Sequence, residues 1–453
     1  MTAQHRHRAQ QTVDKVRQLL DSSRDDAARA EPTNRPSLQR TASTRFSDLP
    51  EYETMKITRA IGEITGLSNP FHRLHDGRAC ETTTIDGRTV VNFSSYDYLG
   101  LNSHDAVSDA AHAAIDRFGT SVSASRLSAG ERQIHRDLES ALARLHGSEA
   151  ALAFVSGHAT NVSVIGNLLS PEDLIVCDTV VHNSVMEGAR LSGAKRVLYR
   201  HGDFDALERA LRLNRARYRR ALVVIEGLYS MDGDVPDLDA LIKLKQRYNA
   251  WLMVDEAHSI GVLGATGRGI AEEQNVNPAD VDIWMGTLSK ALASVGGYIA
   301  GNQALIEILK YTTPGFVYSV GLSPPVAAAA LAACEVMPKE TWRLAKLRDN
   351  GRFFLEAAKA RGLDTGLSIG ASIIPVIVGN SPHAVFLSER LLKRGYNVFP
   401  AMFPGVPENQ ARLRFFMTSR HTPKQIEDAL DAVAEELEAV RKGPSFVSIV
   451  AQR

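Results

Sequence analysis

Lys290 sits in the stretch Met285–Gly301, MGTLSKALASVGGYIAG, behind small hydroxyl residues and ahead of a run of Ala and Gly. A solvated surface lysine needs no such neighbours, whereas an amine that must lie close to a flat ligand does. Four further stretches carry groups of complementary type: Ser156-Gly157-His158, Asp178 with His182 soon after, Glu226 through Ser230, and Asp255 with His258. With Thr287 and Lys290 they amount to an amine for a carbonyl, a carboxylate for a cationic ring nitrogen, an imidazole for a ring face, and N–H and hydroxyl donors for a phosphate. That set meets the needs of pyridoxal 5'-phosphate (PLP). Its aldehyde takes a lysine as a Schiff base, and its ring is an electron sink only while the ring nitrogen stays protonated. Its phosphate suits a Gly-led helix start with hydroxyls nearby. A lysine desolvated beside a cationic ring also loses basicity, which helps it exchange protons near neutral pH.

The elements that must position these groups are legible as runs. ALAFVSG, DLIVCD, ALVVIEG, WLMVDE and DIWMG are short apolar runs ending in small or polar residues, separated by helical segments such as NVSVIGNLL and DLDALIKLKQRY. They predict a mainly parallel sheet buried on both faces. In such an open sheet, ligands sit at the carboxyl ends of the strands, where the groups above fall. After Pro338 the texture changes to a long helix, IIPVIVG, a helix through HAVFLSERLLKRG, then NVFPAM, ARLRFFMT and a last helix, which predicts a smaller α+β domain. That last helix opens at Thr422-Pro423-Lys424-Gln425, a capping box with Pro at N1. GATGRG, from Gly264 to Gly269, does not join a strand to a helix as a dinucleotide fingerprint would and reads as a loop. Order is expected from Phe46. Before it, Val13, Val16, Leu19 and Leu20 make one narrow apolar stripe in a polar segment, suited to a flexible tail or to a docking helix. The predicted division is a tail at 1–45, an N-terminal segment of the small domain at 46–100, a large PLP-binding domain at 101–337, the C-terminal small domain at 338–442 and a tail at 443–453.

The bulk numbers exclude other classes. The 453 residues are 44% hydrophobic and 23% charged, ordinary for a globular protein. Lys+Arg and Asp+Glu are both 52, so charge gives no reason to expect nucleic acid or an anionic membrane as partner. Cys80, Cys177 and Cys334 lie far apart with no C-x-x-C pair, which speaks against a zinc site and for a reducing, cytoplasmic setting. His5 and His7 are too sparse for a metal site, no apolar run is long enough to span a bilayer, and MTAQHRHRAQ lacks a signal-peptide core.

Eight stretches, in order, resemble the α-oxoamine synthase family of PLP-dependent fold type I enzymes. They are SYDYLG at Ser95, SGHATN at Ser156, HNS at His182, YSMDGD at Tyr229, VDEAHSIGVLGATGRG at Val254, GTLSKA at Gly286, YSVGLSPP at Tyr318 and ARLRFFMTSRHT at Ala411. The resemblance runs from about Phe46 to the last helix. It implies a large domain with a mainly parallel seven-stranded sheet. It implies Lys290 as the Schiff-base lysine and acid/base, Asp255 as partner of the ring nitrogen, His182 stacked on the ring, and His258 and Ser230 near the phenolic oxygen. Ser156, Gly157, His158 and Thr287 are implied phosphate-side contacts, and Ser319 is implied to reach the phosphate of a second subunit in a homodimer. Arg414 is implied to hold the substrate carboxylate, with Arg412 open as the alternative. The implied reaction is decarboxylative condensation of serine, glycine or alanine with an acyl thioester on coenzyme A or an acyl carrier protein, giving an α-amino ketone. VDEAHSIGVLGATGRG is most similar to serine palmitoyltransferases and to modules associated with polyketide assembly, which implies a long acyl group. A transaminase and a catalytically silent partner subunit are the competing readings. Two positions depart from the pattern: His158 stands where relatives often carry an aromatic residue, and Asp97 stands where Asn is common.

Overall fold

The computed structural model describes residues 43–65 and 69–442. The apolar stripe at Val13 to Leu20 and the tail at 443–453 lie outside the described residues. Two strands, β1 (Thr82–Ile85) and β2 (Arg88–Asn92), form a hairpin. The main sheet follows: β3 (Ala150–Phe154), β4 (Leu174–Asp178), β5 (Lys195–Tyr199), β6 (Ala221–Glu226), β7 (Trp251–Asp255), β8 (Ile283–Thr287) and β9 (Gly297–Gly301). Its order is β3-β9-β8-β7-β6-β4-β5, parallel except for β9, which runs antiparallel to both β3 and β8.

Successive side chains of a strand point to opposite faces, and both faces here are apolar. Val223, Ile225, Leu252 and Val254 join one buried cluster, while Leu222, Val224, Met253 and Ile283 join another on the far side. Each such side chain contributes roughly 1.5–3 kcal/mol on leaving water. That is why the runs read as continuous rather than alternating. The Ala/Gly run after Lys290, read above only as a small-residue stretch, contains a central strand. Gly286 explains the fit, since a Cβ there would lie 2.3 Å from the Tyr298 hydroxyl oxygen on β9. The edge strand β5 also escaped the sequence reading, because KRVLY is mostly exposed and lacks an apolar run.

A second sheet holds β10 (Ile373–Gly379), β12 (Phe399–Ala401) and β13 (Ala411–Phe416), all antiparallel in the order β10-β13-β12, while β11 (Tyr396–Asn397) adds in parallel to β2. Helices Trp342–Ala360, Ser381–Lys393 and Pro423–Lys442 accompany it. The capping box forms as expected: Gln425 N–H donates to Thr422 Oγ1 at 3.2 Å and Thr422 N–H donates to Gln425 Oε1 at 2.9 Å. Among the described residues no helix is long and apolar enough to cross a membrane.

Candidate active site

A cavity of about 250 Å³ opens at the carboxyl end of the main sheet, and the strand-end residues converge on it. Ser156 caps the helix Gly157–Leu168, accepting from Ala159 N–H at 3.4 Å. Gly157 and His158 therefore present the first N–H groups of that helix, which lie outside its hydrogen-bond ladder. Gly157 is required by space, because a Cβ would come within 2.9 Å of Thr287 Oγ1. Thr287 donates to the Gly296 carbonyl at 2.9 Å and lies 2.7 Å from the Ser289 hydroxyl.

Lys290 lines the same cavity. Burial pulls its ammonium below the usual lysine range, with Asp255 and Glu226 opposing and Arg414 adding to the shift. Among the described residues it forms no ion pair. Its Nζ stands 5.6 Å from the centre of the Tyr96 ring. Asp255, at the end of β7, is buried and met by donors: Asn161 Nδ2 at 2.9 Å and Ala257 N–H at 3.0 Å. Glu226 is its register partner at the end of β6. Glu226 Oε2 accepts from Ser230 N–H at 3.0 Å, while its Oε1 is buried without a partner. Burial first, then Asp255, push the Glu226 carboxyl up to about 8.

His182 caps the helix Asn183–Ser192, with Nδ1 2.7 Å from Ser184 Oγ. His258 Nδ1 lies 2.7 Å from the Tyr98 hydroxyl. Burial lowers the pKa of both imidazoles, and Lys290 lowers that of His258 further, so both are held neutral. Ser230 is buried in the turn after β6 and lines the cavity.

Arg412 and Arg414 lie two positions apart on β13, so they share a face. Arg412 is committed to Asp232 at 2.6 Å and to the Met231 carbonyl at 3.1 Å. Arg414 donates to the Ser230 carbonyl at 3.0 Å and lies over the Phe416 ring at 4.7 Å, and its Nε is buried without a partner. Ser319 is not among the cavity's lining residues; it sits half-buried beside exposed Tyr318 and Val320. Asp178 also turns elsewhere, to His201 at 2.9 Å. Asp97 is buried, accepts from Asn102 N–H at 3.2 Å, and is pushed up to about 6 by burial.

Three groups of the cavity had no role in the sequence reading. Asn161 aims Asp255, Ser289 adds a hydroxyl beside Thr287, and Glu226 forms the second half of a carboxylate pair. Asn161 sits inside SGHATN, one helical turn from Gly157, so its spacing was the available signal. Neutral imidazoles, a helix start at one end, an ionic partner at the other and unpaired Arg414 Nε and Glu226 Oε1 fit PLP and an amino acid.

Residues 88–433 match the family model described as aminotransferase class I and II. An 8-amino-7-oxononanoate synthase of Thermoanaerobacter pseudethanolicus is 40% identical over 348 residues, covering 77% of this chain and 88% of that protein. The serine palmitoyltransferase of Sphingomonas wittichii superposes with a TM-score of 0.83 at 30% identity, covering 87% of this chain and 99% of its own. A serine palmitoyltransferase variant from S. paucimobilis with bound PLP and myriocin superposes with a TM-score of 0.81 at 26% identity, covering 86% and 98%. Likeness of this extent, in sequence and in shape, places the chain: it belongs to the aminotransferase class I and II family, in the branch of the α-oxoamine synthases, which work with PLP.

Proposed function

We propose that this chain joins an amino acid to an acyl thioester, with loss of carbon dioxide and release of an α-amino ketone, and that Lys290, Asp255, His182 and His258 are its catalytic residues. The observation that carries the reading is the half-buried amine of Lys290, without an ion pair among the described residues, within one cavity that also holds a donor-satisfied carboxylate and two neutral imidazoles. PLP, when bound, supplies an aldehyde for amines and a ring that takes up the electron pair freed at the amino acid's α-carbon. Asp255, aimed by Asn161 and Ala257, would partner the ring nitrogen and hold a proton there. His182 would offer its imidazole to the ring face, and His258 with Ser230 would meet the phenolic oxygen. Ser156, Gly157, His158, Thr287 and Ser289 receive the phosphate. Lys290, with basicity lowered by burial, takes and returns the α-proton. Arg414, which pairs with no carboxylate among the described residues, holds the substrate carboxylate, which Arg412 is not free to do.

A second cavity, about 430 Å³, shares Ser289 and Lys290 with the first and is lined by Asn92, Ser94, Ser95, Asp97, Asn102 and Ser294 among others. Apart from Thr83, its only aliphatic side chains are alanines. That lining favours an acyl chain that is short or polar-ended over the long one implied by the VDEAH stretch. Exposed Tyr318, Val320 and Leu127 support a homodimer in which Ser319 reaches the partner's phosphate. The basic N-terminal tail suits an acidic acyl carrier protein as donor. Free Cys80, Cys177 and Cys334 support a reducing, cytoplasmic setting.

The test is mass spectrometry of products from the PLP-loaded enzyme given glycine, serine or alanine with a panel of coenzyme A and carrier-bound thioesters. An α-amino ketone is expected. Amino-group transfer without carbon–carbon bond formation would make the chain a transaminase instead.

A further inference from the structure

Outside the cavity, His201 lies between two carboxylates, with Nδ1 2.9 Å from Asp178 and Nε2 3.1 Å from Asp234. Both ring nitrogens face acceptors, which is satisfied when both carry protons. The Tyr229 hydroxyl donates to the same Asp178 oxygen at 3.2 Å, and the Tyr229 ring meets the His201 ring edge to face at 4.5 Å. Asp178 ends β4, and Asp234 closes the turn that begins at Tyr229, so the imidazole ties a sheet end to a turn.

That turn is where the two sheets meet the site. Tyr229 N–H donates to the Asp234 carbonyl and Gly233 N–H to the Tyr229 carbonyl, both at 2.9 Å. Gly233 has φ of +70°, and a Cβ there would lie 2.1 Å from the Ile373 carbonyl oxygen on β10. Between these anchors lie Ser230, whose carbonyl receives Arg414, and Asp232, which receives Arg412. Moving the turn moves Arg414.

We propose that His201, as an imidazolium clasped by Asp178 and Asp234, is a positioning residue that fixes the Tyr229–Asp234 turn and through it the aim of Arg414. The assignment of Arg414 to the substrate carboxylate rests on the function proposed above; the clasp itself does not. Burial opposes the charge on His201, but the hydrogen bonds it donates to Asp178 and Asp234 outweigh it and raise its pKa to about 10. Tyr199 and Tyr229, the other titratable groups at the clasp, are raised by burial and stay phenols. The clasp is therefore intact across the neutral range.

The experiment compares the parent holoenzyme with His201→Ala and Asp234→Asn by hydrogen exchange, PLP affinity, and visible-absorbance titration with glycine, L-serine and L-alanine. In both variants, exchange in the peptide covering Tyr229–Asp234 should accelerate, by about tenfold for His201→Ala, with the helix Gly157–Leu168 unchanged. Affinity for the amino acid should fall about fivefold or more, with PLP affinity within about twofold. Unchanged exchange in the turn, or exchange that rises everywhere together with loss of PLP affinity, would overturn the proposal. If His201→Ala does not fold, Asp234→Asn carries the same comparison. If no amino acid alters the parent's absorbance, the functional reading fails while the turn's exchange still decides the clasp.

Discussion

The cavity around Lys290 and the clasp around His201 use the same residue types to opposite ends. In the clasp, His201 is flanked by two carboxylates and is charged; in the cavity, buried His258 and the wall residue His182 make no carboxylate bond among the described residues and are neutral. The arginines divide in the same way. Arg412 is closed on Asp232, and Arg414, two residues on, keeps a buried Nε unpaired. Burial alone drives an ionisable side chain toward its neutral form, and a partner at hydrogen-bond distance reverses the sign. Paired groups brace the scaffold, whereas unpaired ones are poised for a ligand.

The largest effect should come from breaking the unpaired side at its centre. Lys290→Ala should cut product formation by about 10³-fold or more while the melting temperature stays close to the parent's, because no protein ion pair is lost. Substantial residual turnover would contradict the assignment. The arginine pair sharpens the contrast. Arg414→Ala should raise KM for the amino acid roughly tenfold to a hundredfold with little loss of stability. Arg412→Ala should instead cost about 3 kcal/mol of stability, by stranding Asp232. Steady-state kinetics and chemical denaturation read the two, and similar outcomes would erase the distinction.

The carboxylate pair offers a pH test. In the folded PLP-free protein Glu226 titrates near about 8, against an ordinary value of 4.5. Its raised pKa penalises folding once the unfolded chain ionises. Measured against a Glu226→Gln variant, the parent's stability should therefore fall as pH rises from about 4.5 and level off above about 8. A flat difference would show Glu226 to be ionised throughout. The smallest effect belongs to the clasp. The folded pKa of His201 lies above its unfolded value of 6.5, so its contribution is fully present below about 6.5 and is lost as pH rises through about 10. The stability gap between the parent and His201→Ala should narrow over that window, and a gap independent of pH would mean that charge plays no part.

Much of the architecture could be read directly. Strands buried on both faces appear as unbroken apolar runs, so β4, β6, β7 and β8 were visible within a residue and β3 within three. β5 and β9 were not, for different reasons. An exposed edge strand shows no apolar run, and a strand made of Gly, Ala and Tyr is recognisable only once Tyr298 is seen packing over Gly286. In the site, the motif residues of the main sheet were legible because each lies at or just past a strand end, whereas Arg414 lies within β13. Asp178 obeyed the same rule yet belongs to the clasp, since position at a strand end does not say which way a side chain turns.

Residue type and spacing thus determined that this chain would carry a lysine, an aspartate, two histidines and a Gly-led helix start to one edge of a parallel sheet, because strand period and helix capping are local properties of the chain. Which arginine stays free, which histidine is charged and that the Glu226 carboxyl is pushed toward its protonated form were decided only by the tertiary structure. Those outcomes depend on distances between groups remote in sequence, such as Arg412 and Asp232 or His201 and Asp234, and on water excluded by neighbours that no local pattern records.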